Sequence, residues 1–327
     1  MRQVHEMELR HLRAFVAIVD AGGVGRAIDR LHLSQPALSR QIRALESALS
    51  VRLFDRVGRR VRLTSEGEDL LRQSRRLLAD ADSLEERARA LQGGQAGILR
   101  VGGTPQLMEG LLADFLPQYG RRYPGVEIHL IEDGGASLHG RLEHGDVHLG
   151  LMLAGDARFE ERVLFPIYFL AVAASHPGRA PHDGLEFREL ADAPVLVLRP
   201  GFGSREWFDA ACRITQVRPR VLLESAAPHT MVALARAGYG IALVPSAVRF
   251  DRRGVRALPL LLGGRPIGGG VSVAWDPRRF LPPYARAFAD QVQAFSRRGW
   301  PGRDVIRHRP PLPPPRPPGA PGRAGRG

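Results

Sequence analysis

An alternation in the second two thirds of the chain narrows the fold most. Between Ile98 and about Arg298 the apolar runs ILRVG, VEIHLI, VHLGLM, FLAVAA, VLVL, RVLLE, IALVP and GVSVAW are separated by segments with helical spacing. Short apolar runs alternating with helices predict an α/β domain with mostly parallel sheets. A span of roughly two hundred residues suits two lobes better than one. The chain has 327 residues, so at least one further domain fits beside it.

That further domain reads from Leu9 to Leu63. Leu12, Phe15, Val16 and Val19 have helical spacing, Gly22 and Gly23 interrupt, and Arg26 to Leu31 forms a second short helix. After a turn at His32-Leu33, Ser34 is placed to cap a third helix, with Pro36 in its first turn where no N–H is needed. Leu38, Ile42, Leu45 and Leu49 recur at four, three and four residues and share one buried face. Pro36, Arg40, Arg43 and Ser47 point the other way, with Ser39 flanking. Two guanidinium groups among small side chains can approach a phosphate backbone or, bidentately, a guanine edge. Gln35, at the exposed N-terminal end, can pair with an adenine edge. The same face is also what a solvated amphipathic helix looks like.

The next segment, VRLFDRVGRRVRLT, has two short β-prone runs and arginines at 52, 56, 59, 60 and 62. It reads as a hairpin whose guanidinium-rich tip suits the minor groove. Thr64 then caps a long charged helix, in which Leu70, Leu71, Leu77, Leu78, Leu84 and Leu91 form a near-heptad stripe up to Gly93-Gly94. A narrow apolar seam on a long helix calls for a partner helix. From Pro301 to Gly327 the chain is rich in Pro, Arg and Gly and is expected to be a disordered tail.

Net charge is +13, from 47 basic against 34 acidic residues, and no lysine occurs. The excess favours an anionic partner, nucleic acid first, although part of it sits in the tail. The single cysteine, Cys212, excludes an internal disulfide and a cysteine-based metal site. No apolar run reaches membrane-spanning length, and the N-terminus lacks the apolar core of a signal peptide. A cytoplasmic protein with no membrane partner is expected.

The stretch MELRHLRAFVAIVDAGGVGRAIDRLHLSQPALSRQIRALESALSVRLFDRVGRRVRLTSEGEDLL resembles the N-terminal domain of LysR-type transcriptional regulators without a gap. The resemblance implies a winged helix-turn-helix, with Gln35, Pro36, Ser39, Arg40 and Arg43 at DNA and Ser34 at the same helix end. It implies Arg56 and Arg59 at DNA through the wing. Three positions depart from the family pattern. Gly22-Gly23-Val24-Gly25 replaces a Ser-Phe-Thr-like cap, a loss of about 1 kcal/mol. Ile28 stands where a second alanine is usual, and Ser50 where glycine is usual.

LRVGG, YPGVEIHLIE, LEHGDVHLGLM and ARAGYGIALVPS extend the resemblance over most of Ile98 to Arg298. They imply a two-lobed domain like the periplasmic solute-binding proteins, with an effector between the lobes. Read physically, Thr104 caps a helix after one strand, Ser204 after another, and Pro228-His229 opens a third. In open α/β sheets ligands bind at such strand-to-helix turns, where helix N-termini favour anions. Thr104, Ser204, Arg205 and His229 are therefore the candidate effector-binding residues, and the expected effector is a small acidic metabolite. No cofactor and no metal is expected, because Gly145 breaks the helical spacing of His139, His144 and His148. His148 stands where the family usually has aspartate. Cys212 reads as a buried, inert thiol.

These readings give residues 7–64 as the winged helix-turn-helix and 65–94 as a linker and dimerisation helix. Residues 95–300 form the effector-binding two-lobed α/β domain, and 301–327 the tail. The expected function is a sequence-specific, effector-controlled regulator, a homodimer or homotetramer on inverted-repeat half-sites of double-stranded DNA. An enzyme or solute-binding protein with a basic appendage is the competing class, but no nucleophile, base or metal constellation supports the enzyme. An architectural DNA protein would not need the α/β domain.

Overall fold

The computed structural model describes residues 7–57, 60–91, 96–175 and 184–303. They form two compact bodies that divide near residue 94.

The first body contains α1 (Leu9–Asp20), α2 (Val24–Leu31), α3 (Gln35–Leu49), β1 (Phe54–Val57), β2 (Arg60–Leu63) and α4 (Ser65–Leu91). Helix α1 buries Leu12, Phe15 and Ile18. It ends at Gly22, whose φ of +64° suits glycine, and the amides of Gly22 and Gly23 return to Val19 and Ile18. No side chain caps α2, in keeping with the glycine run. The Arg26 guanidinium instead donates to the carbonyls of Ala21 and Gly22, placing a cation at the carboxyl end of α1.

Strands β1 and β2 pair antiparallel from Phe54↔Leu63 to Val57↔Arg60. The Phe54 ring meets Phe15 edge-on at 5.4 Å, which seats the hairpin on α1. Thr64 Oγ1 donates to Arg52 O (2.7 Å) and accepts from Gly67 N (2.9 Å), so one hydroxyl both anchors the hairpin and caps α4. A Cβ on Gly67 would lie 2.3 Å from Leu53 O, so this close approach requires glycine.

The leucine stripe of α4 divides. Leu70, Leu71 and Leu78 pack on Leu12, Phe15, Leu45 and Leu53 of their own domain, while Leu77 and Leu84 remain 46% and 70% exposed. Leu91 closes α4 in the backbone, and Gly93-Gly94 lie outside the described residues.

The second body contains β3 (Gly97–Gly103), α5 (Pro105–Leu107), a π-turn (Met108–Leu112), α6 (Ala113–Arg122), β4 (Val126–Glu132), α7 (Gly135–His144), β5 (Leu149–Leu153) and β6 (Glu160–Ala174). There follow β7 (Leu185–Glu186), a 3-10 turn (Phe187–Leu190), β8 (Pro194–Leu198), α8 (Gly203–Thr215), β9 (Arg220–Ser225), α9 (Pro228–Arg236) and β10 (Ile241–Pro245). β11 (Val255–Leu262), β12 (Arg265–Pro266), β13 (Gly268–Trp275) and α10 (Pro283–Ser296) complete it.

The strand order β4-β3-β5-β13-β6-β10-β8-β9 holds a parallel trio at each end. The sheet is mixed rather than mostly parallel, because β6 runs antiparallel to β10, β11 and β13, and β13 antiparallel to β5. The reason is topological. β6 carries the chain from the first lobe into the second, pairing with β13 through Tyr168 and with β10 from Phe169 on, and β13 brings the chain back. The FLAVAA run is only the second half of this 15-residue strand.

One apolar cluster runs through both lobes, from Leu99, Phe115 and Phe288 to Phe187, Val195 and Trp207. The folded body also extends past residue 300, which corrects the expected start of the tail. Pro301 is buried against Gly110, and Gly302 (φ +83°) lies on Ser246. Residues 304–327 of the expected tail lie outside the described residues.

Candidate functional site

The open face of α3 follows from how the helix is held. Ser34 Oγ accepts from Ala37 N at 3.4 Å, and Pro36 sits in the first turn. Leu38 and Leu45 are fully buried, with Ile42 and Leu49 partly so. At the far end, Glu46 accepts the Leu53 amide through Oε1 (2.9 Å), locking helix to hairpin. The opposite face is open. Gln35, Pro36, Arg40, Arg43 and Ser47 are exposed, and Ser39 is half-buried. Among the described residues neither Arg40 nor Arg43 has a side-chain hydrogen bond or ion pair. Two uncompensated guanidiniums on one helix face form a surface for an anion. Arg56 is placed in β1 by its backbone, and Arg59 lies outside the described residues.

In the α/β body, three helix-opening turns gather at the carboxyl ends of the strands. Asp133 N donates to Gly103 O (3.0 Å), and Ala136 N to Gly201 O (3.4 Å). A Cβ on Gly103 would press on Leu151 and Met108, and one on Gly203 would meet Leu153. The turns opening α5, α7 and α8 therefore converge around Leu151–Leu153, bringing first-lobe and second-lobe residues together.

At these turns several polar atoms are buried without a partner: Thr104 Oγ1, Gln106 Oε1, Ser204 Oγ and Trp207 Nε1. A buried unsatisfied polar group costs about 1–3 kcal/mol, and is retained where a ligand or water completes it. Thr104 is at the cap position of α5 as expected, but its hydroxyl makes no capping bond. Ser204 is not the cap of α8. Phe202 holds that position, and Ser204 sits one residue inside the helix with its hydroxyl buried.

The two charged candidates are engaged elsewhere. Arg205 donates to Asp209 (3.0 Å), Glu224 (2.7 Å) and Leu198 O (3.3 Å). Burial works against its charge, but the two carboxylates outweigh burial and hold its proton more firmly. A guanidinium already facing two carboxylates is a poor receptor for a third. His229 Nε2 lies 2.7 Å from Glu109 Oε2, joining the start of α9 to the π-turn. The sequence reading missed Gln106 and Trp207. Gln106 lies two residues after Thr104 in the turn that opens α5, and only its partnerless carbonyl distinguishes it.

Asp133 organises the α7 turn, accepting from Ser137, Gly134 N and Arg141. Burial pulls its carboxyl up, but those bonds outweigh it and keep the pKa below the ordinary value. His148, where the family usually has aspartate, is bonded to β3. Its Nδ1 accepts from Arg100 N (3.1 Å) and its own amide donates to Arg100 O (2.9 Å), stitching the chain beside β5 to the middle of β3. Cys212 is half-buried, and burial pushes its thiol up. Among the described residues, no cluster of three His, Cys, Asp or Glu side chains is arranged to hold a metal, and no helix is long and apolar enough to cross a membrane.

Two family models match the chain. Residues 9–68 match the bacterial regulatory helix-turn-helix protein, lysR family, and residues 92–297 the LysR substrate binding domain. The chain is 32% identical to HTH-type transcriptional regulator IlvR of Caulobacter vibrioides over 266 residues, covering 78% of this chain and 88% of that protein. It is 31% identical to TfdS of Cupriavidus pinatubonensis over 296 residues, covering 87% and 97%. A full-length OxyR variant from Pseudomonas aeruginosa superposes with a TM-score of 0.65 at 26% identity, over 88% of this chain and 98% of that one. Full-length CbnR complexed with its target DNA shares the fold, with a TM-score of 0.62 at 24% identity over 88% and 99%. With a helix-turn-helix whose outer face is open and cationic, and an α/β domain that matches the family's substrate-binding module, the chain belongs to the LysR family of DNA-binding transcriptional regulators.

Proposed function

We propose that α3 reads an operator through Gln35, Arg40 and Arg43, and that a small metabolite bound at the turns around Thr104, Gln106 and Ser204 controls the reading. The partnerless buried hydroxyls of Thr104 and Ser204 carry the second half of this reading. Two hydroxyls can donate to a carboxylate, while Gln106 Oε1 can accept from an N–H or O–H. The effector class that satisfies all three is a small carboxylate bearing a hydroxyl or amino group. Helix N-termini supply the rest of the anion's stabilisation, since Arg205 is already paired. No cofactor is needed besides this effector, and the setting is the cytoplasm. The exposed Leu77 and Leu84 of α4 support assembly into a homodimer or homotetramer on inverted-repeat half-sites.

One experiment tests both halves. Promoter-fragment binding is titrated with and without a panel of small hydroxy and amino acids, for wild type, Gln35→Ala, Thr104→Val and Ser204→Ala. Gln35→Ala should lose about 1–3 kcal/mol on the cognate site and much less on random DNA. Thr104→Val and Ser204→Ala should lose the response to the active acid while binding promoter as wild type does in its absence. Equal loss on both DNAs, or an unaltered response, refutes the corresponding half.

A further inference from the structure

A cavity of about 520 Å3 opens beside the loop that follows β10, and none of Thr104, Ser204, Arg205 or His229 lines it. Three chain segments far apart in sequence wall it: Gly110 to Asp114, Ser246 to Arg252, and Phe295 to Gly302, with Leu170 of β6 among them. Their close fit is specific to these residues. A Cβ on Gly110 would lie 2.9 Å from Ala247 O and 3.0 Å from Pro301, and one on Gly302 would lie 2.5 Å from Ser246 O.

The lining has two kinds of surface. Leu111, Phe250, Phe295 and Trp300 supply an apolar wall, and Arg249, Arg252 and Arg298 supply positive charge against the single carboxylate of Asp114. Asp114 is already taken by Arg249, which also donates to Gly110 O at 2.8 Å. The exposed Arg298 guanidinium has no hydrogen bond or ion pair among the described residues. The indole N–H of Trp300 is buried with no acceptor. A volume in the range of small-ligand sites, an aromatic wall, an uncompensated guanidinium and an unused donor describe a receptor for an organic anion.

We propose that this cavity binds an amphipathic carboxylate, its aromatic or branched body on Phe250, Phe295 and Trp300 and its carboxylate at Arg298. The chain's own C-terminal residues are poor occupants, because residues 304–327 carry five arginines (307, 309, 316, 323 and 326) and one acid, Asp304. The site is separate from the effector turns, and its existence does not depend on the role assigned to them. Because its walls come from both lobes, an occupant touches both sides of the Arg249–Asp114 link.

Calorimetric titration of the full chain tests this with phenylacetate and its neutral counterpart phenylacetamide. Phenylacetate should bind saturably at millimolar concentration or below, and the amide at least about tenfold more weakly. Arg298→Gln, an exposed position, should erase that preference at unchanged melting temperature, and Arg298→Lys should keep most of it. Equal binding of acid and amide, no saturable binding, or wild-type behaviour of Arg298→Gln overturns the proposal. So does loss of binding in Thr104→Val with Arg298→Gln unaffected, which places the ligand at the effector turns. Binding that emerges only after truncation behind Arg303 also overturns it, since the tail is then the occupant.

Discussion

Ser50 holds its backbone at φ +56°, in the left-handed region, where the chain leaves α3. The family's usual glycine has a physical reason here, because a Cβ in this conformation costs roughly 1 kcal/mol. Ser50→Gly should raise stability by about 0.5–1 kcal/mol, read as a shift in the urea midpoint at unchanged slope. A second residue-scale prediction concerns acid. The carboxyls of Asp133, Asp156 and Asp276 all sit below the ordinary value. For Asp156 the Arg158 hydrogen bond leads; for Asp276 burial opposes, but Arg278 and Arg279 outweigh it. A lowered folded pKa gives stability that is complete above the unfolded value, about 3.9, and lost as pH falls through the folded one. Glu206 works the other way, since burial raises it and its protonation in acid returns some stability. With Glu66 at the start of α4 also lowered by its backbone and Ser65 hydrogen bonds, the balance of four against one predicts a melting temperature that drops below about pH 4, and a flat profile there would contradict it.

At the scale of the element, α3 and α4 differ in how much of them a sequence can reveal. The faces of α3 separate as its leucine spacing predicts, because one neighbouring layer covers one side of a 15-residue helix. The stripe on α4 predicts a seam, yet its own domain already covers Leu70, Leu71 and Leu78. Among the stripe residues whose burial is described, Leu77 and Leu84 are left open, a difference that periodicity cannot contain. Leu84→Asp, at 70% exposure, should leave the monomer's fold intact and shift the sedimentation profile toward smaller species. An unchanged profile together with an unchanged melt would remove α4 from the interface. The α5 and α8 turns repeat the lesson. Thr104 and Ser204 read as caps, and neither hydroxyl caps anything.

For the whole molecule, β6 makes the two lobes one sheet path, and the segment after α10 closes over their junction. A chain ending at Arg303 should melt as the full chain does. One ending at Gly299 removes Trp300 and the buried Pro301 from the π-turn and should lose about 2–4 kcal/mol. Equal melting of the two truncations would show that these residues contribute no packing.

The linear chain alone determined the order of the helix-turn-helix and the α/β body, the buried and open faces of α3, the hairpin that follows it and the alternation of strands with helices, while the antiparallel β6 and β13 were not legible in it. Each legible feature rests on local spacing, on caps, or on a contiguous motif. Only the tertiary structure decided the partners of charged and polar groups. Arg205 reads as a free cation beside a helix start, but Glu224 reaches it from 19 residues away and Asp209 from the next turn. His229 meets Glu109 across 120 residues, and the unpaired hydroxyls of Thr104 and Ser204 are known only once every neighbour is placed. Whether a polar atom is satisfied depends on the sum of long-range contacts around it, and side-chain type and spacing do not encode that sum.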